Sequence, residues 1–176
     1  TDLLVTAPGI IYLWVARMIM ATLEFQDKIP FKTVLLHGMV LDETGIKMSK
    51  SLGNSPDPIH IIEEYGADAL RFSMIFNTPK GADSYYSNSI LDIGRNFANK
   101  IWNAYRFMMM NVEKIDGLPN KDELKLELAD KWIYSRLNEV IRLTQKNYEE
   151  LRLNDAANIL MDFIWKEFCS WYLELS

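Results

Sequence analysis

Residues 33 to 58 read Thr33-Val34-Leu35-Leu36-His37-Gly38-Met39-Val40-Leu41-Asp42-Glu43-Thr44-Gly45-Ile46-Lys47-Met48-Ser49-Lys50-Ser51-Leu52-Gly53-Asn54-Ser55-Pro56-Asp57-Pro58, and the order of chemistry in this stretch decides the fold. The β-branched and apolar run over 33–37 predicts a buried strand. An Asp-Glu-Thr-Gly turn then leads into Lys47-Met48-Ser49-Lys50-Ser51, two ammonium groups and two hydroxyls within five residues. Lysine is a compact point charge with rotatable donors, and serine adds hydrogen bonds without bulk. Such a loop suits a polyphosphate and can follow phosphoryl oxygens as charge moves onto a leaving group. The same letters also read as a solvated basic turn.

Upstream, residues 2–6 form a short apolar strand, and Gly9 to Phe25 has helical spacing with Ile10, Trp14, Met18 and Ala21 on one broad face. Strand, helix and strand in this order make one crossover of a parallel sheet. Downstream, Pro56 and Pro58 punctuate the chain and place a helix start near Pro58. From there the pattern is helical, over 58–65, 67–77, 87–111, 122–151 and 155–175, with breakers at Gly66, Pro79-Lys80-Gly81, Gly117-Leu118-Pro119-Asn120 and Asn154. The expected fold class is therefore α/β plus α, with residues 1–57 as the α/β part, 58–86 as a helical connector and 87–176 as a helical bundle.

Within that bundle, Gly94, Phe97, Ala98, Ile101, Ala104, Tyr105 and Met108 form an apolar stripe expected in the core, and Ile133, Leu137, Val140, Ile141, Thr144 and Tyr148 repeat the pattern. The last helix is aromatic on several sides, so it expects neighbours on most sides, some of them beyond Ser176. Trp132, Trp165 and Trp171 are expected in the core, and the acidic stretch 116–127 as a solvated turn and helix start.

Composition bounds the function. The 176 residues are 49% hydrophobic and 24% charged, enough to bury a core. One cysteine and two histidines exclude a disulfide framework and a structural zinc site, so no metal centre is expected. A reducing, cytoplasmic setting follows. The most apolar stretch, Ile10 to Leu23, is interrupted by Arg17 and short for a bilayer, so no membrane partner is expected. The chain enters a strand at once without an initiator methionine and reads as an internal segment of a longer protein. The net charge of −5 argues against chain-wide attraction to nucleic acid. Between Arg71 and Met110, however, basic residues outnumber acidic ones by three.

The run from His37-Gly38 through Lys47-Met48-Ser49-Lys50-Ser51 to Leu52-Gly53-Asn54 resembles the second signature region of the class I aminoacyl-tRNA synthetases. Thr6-Ala7-Pro8-Gly9-Ile10-Ile11-Tyr12-Leu13-Trp14-Val15-Ala16-Arg17-Met18 is similar to the valyl members' amino-acid-pocket segment. Gly66-Ala67-Asp68-Ala69-Leu70-Arg71-Phe72 is similar to the opening of their helical region. Arg95-Asn96-Phe97-Ala98-Asn99-Lys100-Ile101-Trp102-Asn103 and Trp165-Lys166-Glu167-Phe168-Cys169-Ser170-Trp171-Tyr172-Leu173-Glu174 resemble their anticodon-domain helices. The resemblance spans nearly the whole chain. It implies the C-terminal part of a Rossmann-like nucleotide-binding fold followed by an anticodon-binding helical bundle, which further chain would complete.

The activity it implies is ATP-dependent activation of valine to an adenylate and transfer to tRNA(Val), with magnesium arriving on the ATP and a monomeric parent. Lys50 is then the main group stabilising charge on departing pyrophosphate, with Lys47 and Ser49 assisting, and Gly45 and Gly53 as flanking hinges. Read from residues alone, His37 at a strand end is a structural group satisfied by its neighbours; the resemblance places it by the nucleotide, with Gly38 leaving room for adenine. Met48 is equally an apolar plug or an adenine contact. Ile10 and Trp14 are a core pair or, by the resemblance, the apolar wall of the valine pocket. Ala7, Pro8 and Gly9 stand where a common form of the family has glycine, an aromatic and aspartate.

Arg95, Asn99, Trp102 and Arg106 share one helical face with the composition of a phosphate-tracking, base-stacking surface, with Lys100 beside it, so Arg95, Lys100 and Arg106 are the candidate tRNA contacts. The family's first signature, His-Ile-Gly-His, is absent, which predicts that this stretch alone does not activate an amino acid. The alternatives are an isoleucyl or leucyl enzyme, or a non-catalytic tRNA-binding module.

Overall fold

The computed structural model describes residues 1–112 and 124–176. The chain divides into two compact units, one made of residues 1–55 and 77–87, the other of 56–76 and 88–176. Most of it is helical, with two small parallel sheets.

In the first unit, β1 (Leu3–Thr6) pairs in parallel with β2 (Thr33–Leu36), Leu3 opposite Thr33 and Thr6 opposite Leu36. The link is the expected helical crossover, but its winding changes along its length. Pro8–Ile10 is a 3-10 turn begun by its proline, Ile11–Val15 is π-wound, and only α1 (Ala16–Gln26) is α-helical. Asp27, left-handed at φ 48°, ends it with its amide donating to the Leu23 carbonyl. Contrary to the sequence expectation, Pro8–Gln26 is by length and composition long and apolar enough to cross a membrane. Here it joins two hydrogen-bonded parallel strands, the position in which α/β folds use apolar helices. A second ribbon, absent from the sequence reading, pairs β3 (Val40–Leu41) in parallel with β4 (Ser84–Tyr85).

In the second unit, α2 (Pro58–Tyr65) starts where the prolines predict, its N-terminus capped by the Asp57 carboxylate, which accepts from the Ile59 amide at 2.9 Å. α3 (Ala67–Phe76) and α4 (Asn88–Val112) approach closely because Gly94 lies against Ala69 and Ser73, and the Phe72 and Phe97 rings meet with centroids 4.7 Å apart. α5 (Leu128–Glu149) begins later than its periodicity suggests, at a capping box between Glu127 and Asp130. The rest of the acidic stretch, residues 116–123, lies outside the described residues. α6 (Leu153–Asp162) runs on into a π-wound segment, Phe163–Tyr172, and ends as α7 (Leu173–Leu175).

Ile133, Val140 and Phe163 are buried together, with Trp132, Ile159, Leu160 and Phe168 packed around them. Each such side chain contributes about 1.5–3 kcal/mol relative to exposure. The apolar stripes are only partly core. On α4 the stripe is buried at Gly94 and Phe97, but Ile101, Tyr105 and Met108 are open. On α5 Leu137, Ile141 and Tyr148 are open as well. Ile101, Tyr105 and Met108 of α4 and Leu137 of α5 line an apolar groove of about 540 Å³ together with residues of the π-wound segment. Trp171, expected in the core, is 62% exposed. Its segment, Phe163–Tyr172, is π-wound rather than α-helical, so its side chains do not repeat every 3.6 residues.

Candidate nucleotide and nucleic-acid sites

The carboxyl ends of β1 and β2 lie side by side, because the His37 amide donates to the Thr6 carbonyl at 3.1 Å and continues the ladder one step beyond the strands. Ligands of parallel sheets bind off this edge. It gathers Thr6, His37 and Gly38, and the 3-10 and π turns carrying Ile10 and Trp14 leave from it. The exposed His37 ring sets Nδ1 2.8 Å from its neighbour's carbonyl, Gly38 O, and since a carbonyl only accepts, Nδ1 is the donor in that bond. Gly38 is buried, and what presses on it is protein: the Ala82 carbonyl occupies the space of the missing side chain. Ile10 and Trp14 are 40% and 45% exposed, so neither is the core residue its apolar spacing suggested.

The lysine loop follows β3. Leu41 bridges Lys47, and the Met48 amide donates to the Val40 carbonyl at 3.1 Å. Ser49 then caps a 3-10 turn, Lys50–Leu52, its Oγ accepting from the Leu52 amide at 3.3 Å and lying 3.2 Å from Ser51 Oγ. Gly53, at φ 69°, closes the turn in the left-handed region. Lys47 and Lys50 are exposed, Met48 and Ser49 half-buried. No ion pair among the described residues includes either lysine. Two unpaired cations beside two hydroxyls can take a polyanion.

Sequence reasoning marked the turn before this loop and the Gly-Asn after it, but not their connection. The Asp42 carboxylate accepts from the Thr44 and Ile46 amides, from the Thr44 hydroxyl, and at 2.8 Å from the Asn54 amide group. The Thr44 hydroxyl, the Asn54 side chain and the Ile46 amide hold its pKa down to about 2. Asn54 Oδ1 accepts in turn from the Ser49 amide at 2.9 Å. The signal for both residues was turn chemistry, in which aspartate and asparagine side chains bond nearby backbone.

The three cationic candidates of α4 diverge. Eleven residues separate Arg95 from Arg106, about three helical turns, so both lie on one face with the 60% exposed Trp102 between them. Arg95 is also engaged at home, paired with Asp92 at 2.5 Å and standing 5.0 Å from the Tyr65 ring centroid. Lys100 points elsewhere, 5.9 Å from the centre of the Trp165 ring. Among the described residues, no group of three or more His, Cys, Asp or Glu side chains converges to hold a metal.

The family described as tRNA synthetases class I (I, L, M and V) matches residues 1–87, and the anticodon-binding domain of tRNA ligase matches residues 130–176. The valine-tRNA ligase of Fusobacterium nucleatum is 52% identical over 100% of this chain and 20% of the relative. That of Clostridium tetani is 51% identical over the same shares. The chain thus spans about a fifth of the length of the curated relatives it matches. Among solved structures, the methionyl-tRNA synthetase of Mycobacterium tuberculosis in complex with methionyl-adenylate is similar with a TM-score of 0.76 and 25% identity, over 93% of this chain and 32% of that one. A LeuRS of Agrobacterium radiobacter K84, solved as a ternary complex with tRNA and LeuAMS, shares the fold with a TM-score of 0.82 and 24% identity, over 93% and 22%.

Proposed function

The chain belongs to the class I tRNA synthetases, the family of the isoleucine, leucine, methionine and valine enzymes, and we propose that it is the part of a cytoplasmic, monomeric valine-tRNA ligase that closes over ATP and starts the tRNA-binding helices. Residues 1–57 are the C-terminal part of the Rossmann-like catalytic domain, residues 58–86 a connector and residues 87–176 an anticodon-binding-type bundle. The observation that carries the reading is the placement of His37 and Gly38 at the carboxyl edge of the β1–β2 pair, followed by a preformed loop with two unpaired lysines. The choice of valine rests on the relatives that are about half identical along the whole chain.

Activation joins the carboxylate of valine to the α-phosphorus of ATP and expels pyrophosphate. The chemistry asks for positioning and for stabilisation of charge on the leaving group. Lys50 supplies a cation to that charge, Lys47 a second, and Ser49 a hydroxyl donor. His37, Gly38 and Met48 form the adenine side, and Ile10 and Trp14 the apolar wall for a branched side chain. Magnesium enters as part of the substrate, held by phosphate oxygens and water. Arg95 and Arg106, with Trp102 between them, offer phosphate contacts and a stacking surface to tRNA(Val), with Lys100 on the adjoining face.

The test is amino-acid-dependent exchange of pyrophosphate into ATP by the intact enzyme, comparing valine, isoleucine and leucine, with Lys50→Ala alongside. Valine preference and a loss of roughly a hundredfold or more in kcat for Lys50→Ala are expected. Preference for isoleucine or leucine would reassign the substrate. Absence of exchange with every amino acid would overturn the ligase reading and leave a tRNA-binding module.

A further inference from the structure

We propose that Asp42 and Asn54 are positioning residues that hold the lysine loop in one preformed shape, so that residues 42–54 move as a single body. The proposal rests on the ATP-site reading of the loop and adds to it the groups that aim the lysines. Its basis is a continuous chain of hydrogen bonds from the turn before the loop to the loop's middle. Asp42 collects the turn by accepting from Thr44 N at 3.0 Å, Thr44 Oγ1 at 2.6 Å and Ile46 N at 2.9 Å. Its second oxygen takes Asn54 Nδ2 at 2.8 Å, and Asn54 Oδ1 takes Ser49 N at 2.9 Å. Asn54 Nδ2 also lies 3.4 Å from the Lys47 carbonyl, so one side chain touches the backbone at both the first and third residues of the loop.

The partners dictate which way the Asn54 amide faces. A carboxylate can only accept and a backbone N–H can only donate, so the NH2 group must meet Asp42 and the oxygen must meet Ser49. A flip would set oxygen against carboxylate at one end and NH2 against N–H at the other. The segment is therefore clamped by a side chain that fits in one orientation. Gly45 and Gly53 lie inside this ring of bonds, at φ 82° and 69°, and there they shape turns; bending during closure falls outside 42–54.

Donor and acceptor can be exchanged across the Asp42–Asn54 contact. Asn54→Asp puts two carboxylates face to face, one at each end of the 2.8 Å contact, and breaks the clamp. In the double variant Asp42→Asn with Asn54→Asp the new amide at 42 donates to the new carboxylate at 54. The carboxylate still accepts from Ser49 N, and the amide oxygen still accepts from the Thr44 and Ile46 amides.

The experiment uses the intact enzyme and reads valine-dependent pyrophosphate exchange. Asn54→Asp should lower kcat about a hundredfold, the cost of misplacing a reacting group by an ångström, with the KM for valine unchanged. The double variant should recover most of that loss. In a Lys50→Ala background Asn54→Asp should cost little more, because Asn54 acts through the lysine. A double variant as impaired as the single one, or an equal loss in both backgrounds, would overturn the proposal. Hydrogen exchange of the 47–52 amides decides the clamp independently of catalysis. Faster exchange in Asn54→Asp that returns toward wild type in the double variant supports it, and unchanged protection overturns it. Absence of valine-dependent exchange in the wild type would refute the valine reading, and the amide measurement would still decide the clamp.

Discussion

Gly38 lies flat against the backbone of Ala82: a β-carbon on it would stand 1.7 Å from the Ala82 carbonyl oxygen and 2.7 Å from the Asp83 amide nitrogen. The contact is locked from both sides, since the Met39 amide donates to Asp83 Oδ1 at 2.7 Å and the Ser84 amide to the Met39 carbonyl at 2.9 Å. The need for glycine at the edge of the proposed nucleotide site thus arises first from packing within the chain.

Gly38→Ala should destabilise the protein by about 3 kcal/mol, the upper end for forcing an atom into packed surroundings, because the obstacle is backbone rather than the end of a side chain. Gly9→Ala, where nothing lies within 4 Å, should stay within about 0.5 kcal/mol of wild type. Urea unfolding of the intact enzyme compares them. Equal midpoints for the two variants would mean that residues 82–83 move aside.

Arg136 meets Glu167 with a forked pair of hydrogen bonds, Nε to Oε2 at 2.7 Å and Nη2 to Oε1 at 2.9 Å, joining α5 to the π-wound segment, and it also touches Glu139. Lysine keeps the charge but lacks the fork. Arg136→Lys should therefore cost about 1 kcal/mol despite the retained charge, a modest figure because the arginine is 35% exposed. A double-mutant cycle with Glu167→Gln should show coupling of similar size. Additive single effects would mean that the pair contributes nothing as a pair.

Tyr172 donates its hydroxyl to Asp130 at 2.8 Å, tying the last turns to the capping box of α5. That bond, together with burial and the nearby carboxylate charge, raises the tyrosine from its ordinary 10 to about 12. A group whose folded pKa is raised stabilises fully below its unfolded pKa and loses that contribution as pH climbs through its folded one. The stability advantage of wild type over Tyr172→Phe should hold below pH 10 and shrink between about 10 and 12. The same bond holds Asp130 below its ordinary value, so the advantage should also fade as the solution is acidified past the carboxylate range. Thermal midpoints across pH would refute this if the two proteins stayed parallel at both ends.

Arg95 and Arg106 lie on one face of α4 but differ in surroundings. Arg106→Ala should weaken tRNA(Val) binding and reduce the slope of affinity against salt by about one, leaving the melting temperature unchanged. Arg95→Ala should weaken binding and also lower the melting temperature, since it removes the Asp92 pair and the stacking on Tyr65. If neither variant alters the salt dependence, this face does not follow a phosphate backbone.

Much of the architecture was legible because it is local. β1 and β2 are short apolar runs and the helices have a period, both of which a window of residues displays, and Pro58 at a helix start acts within one turn. β3 and β4 were not legible, since two-residue strands have no period and their partners lie more than forty residues apart. The apolar stripes of α4 and α5 told which face avoids water, but not where along the helix a neighbour ends. Phe97 is therefore buried and Tyr105, two turns on, is open.

By itself the sequence determined the chemistry: a strand ending in His37-Gly38, a loop offering Lys47, Ser49 and Lys50, and an arginine-bearing helix face around Trp102. These are properties of residue type and near-neighbour spacing. Tertiary structure alone decided that Gly38 makes way for Ala82 and that Arg95 and Lys100 lean on different aromatic rings. Such contacts depend on the register of strands and the angle at which helices meet. Those are set by the balance of packing over many residues at once, which no local pattern carries.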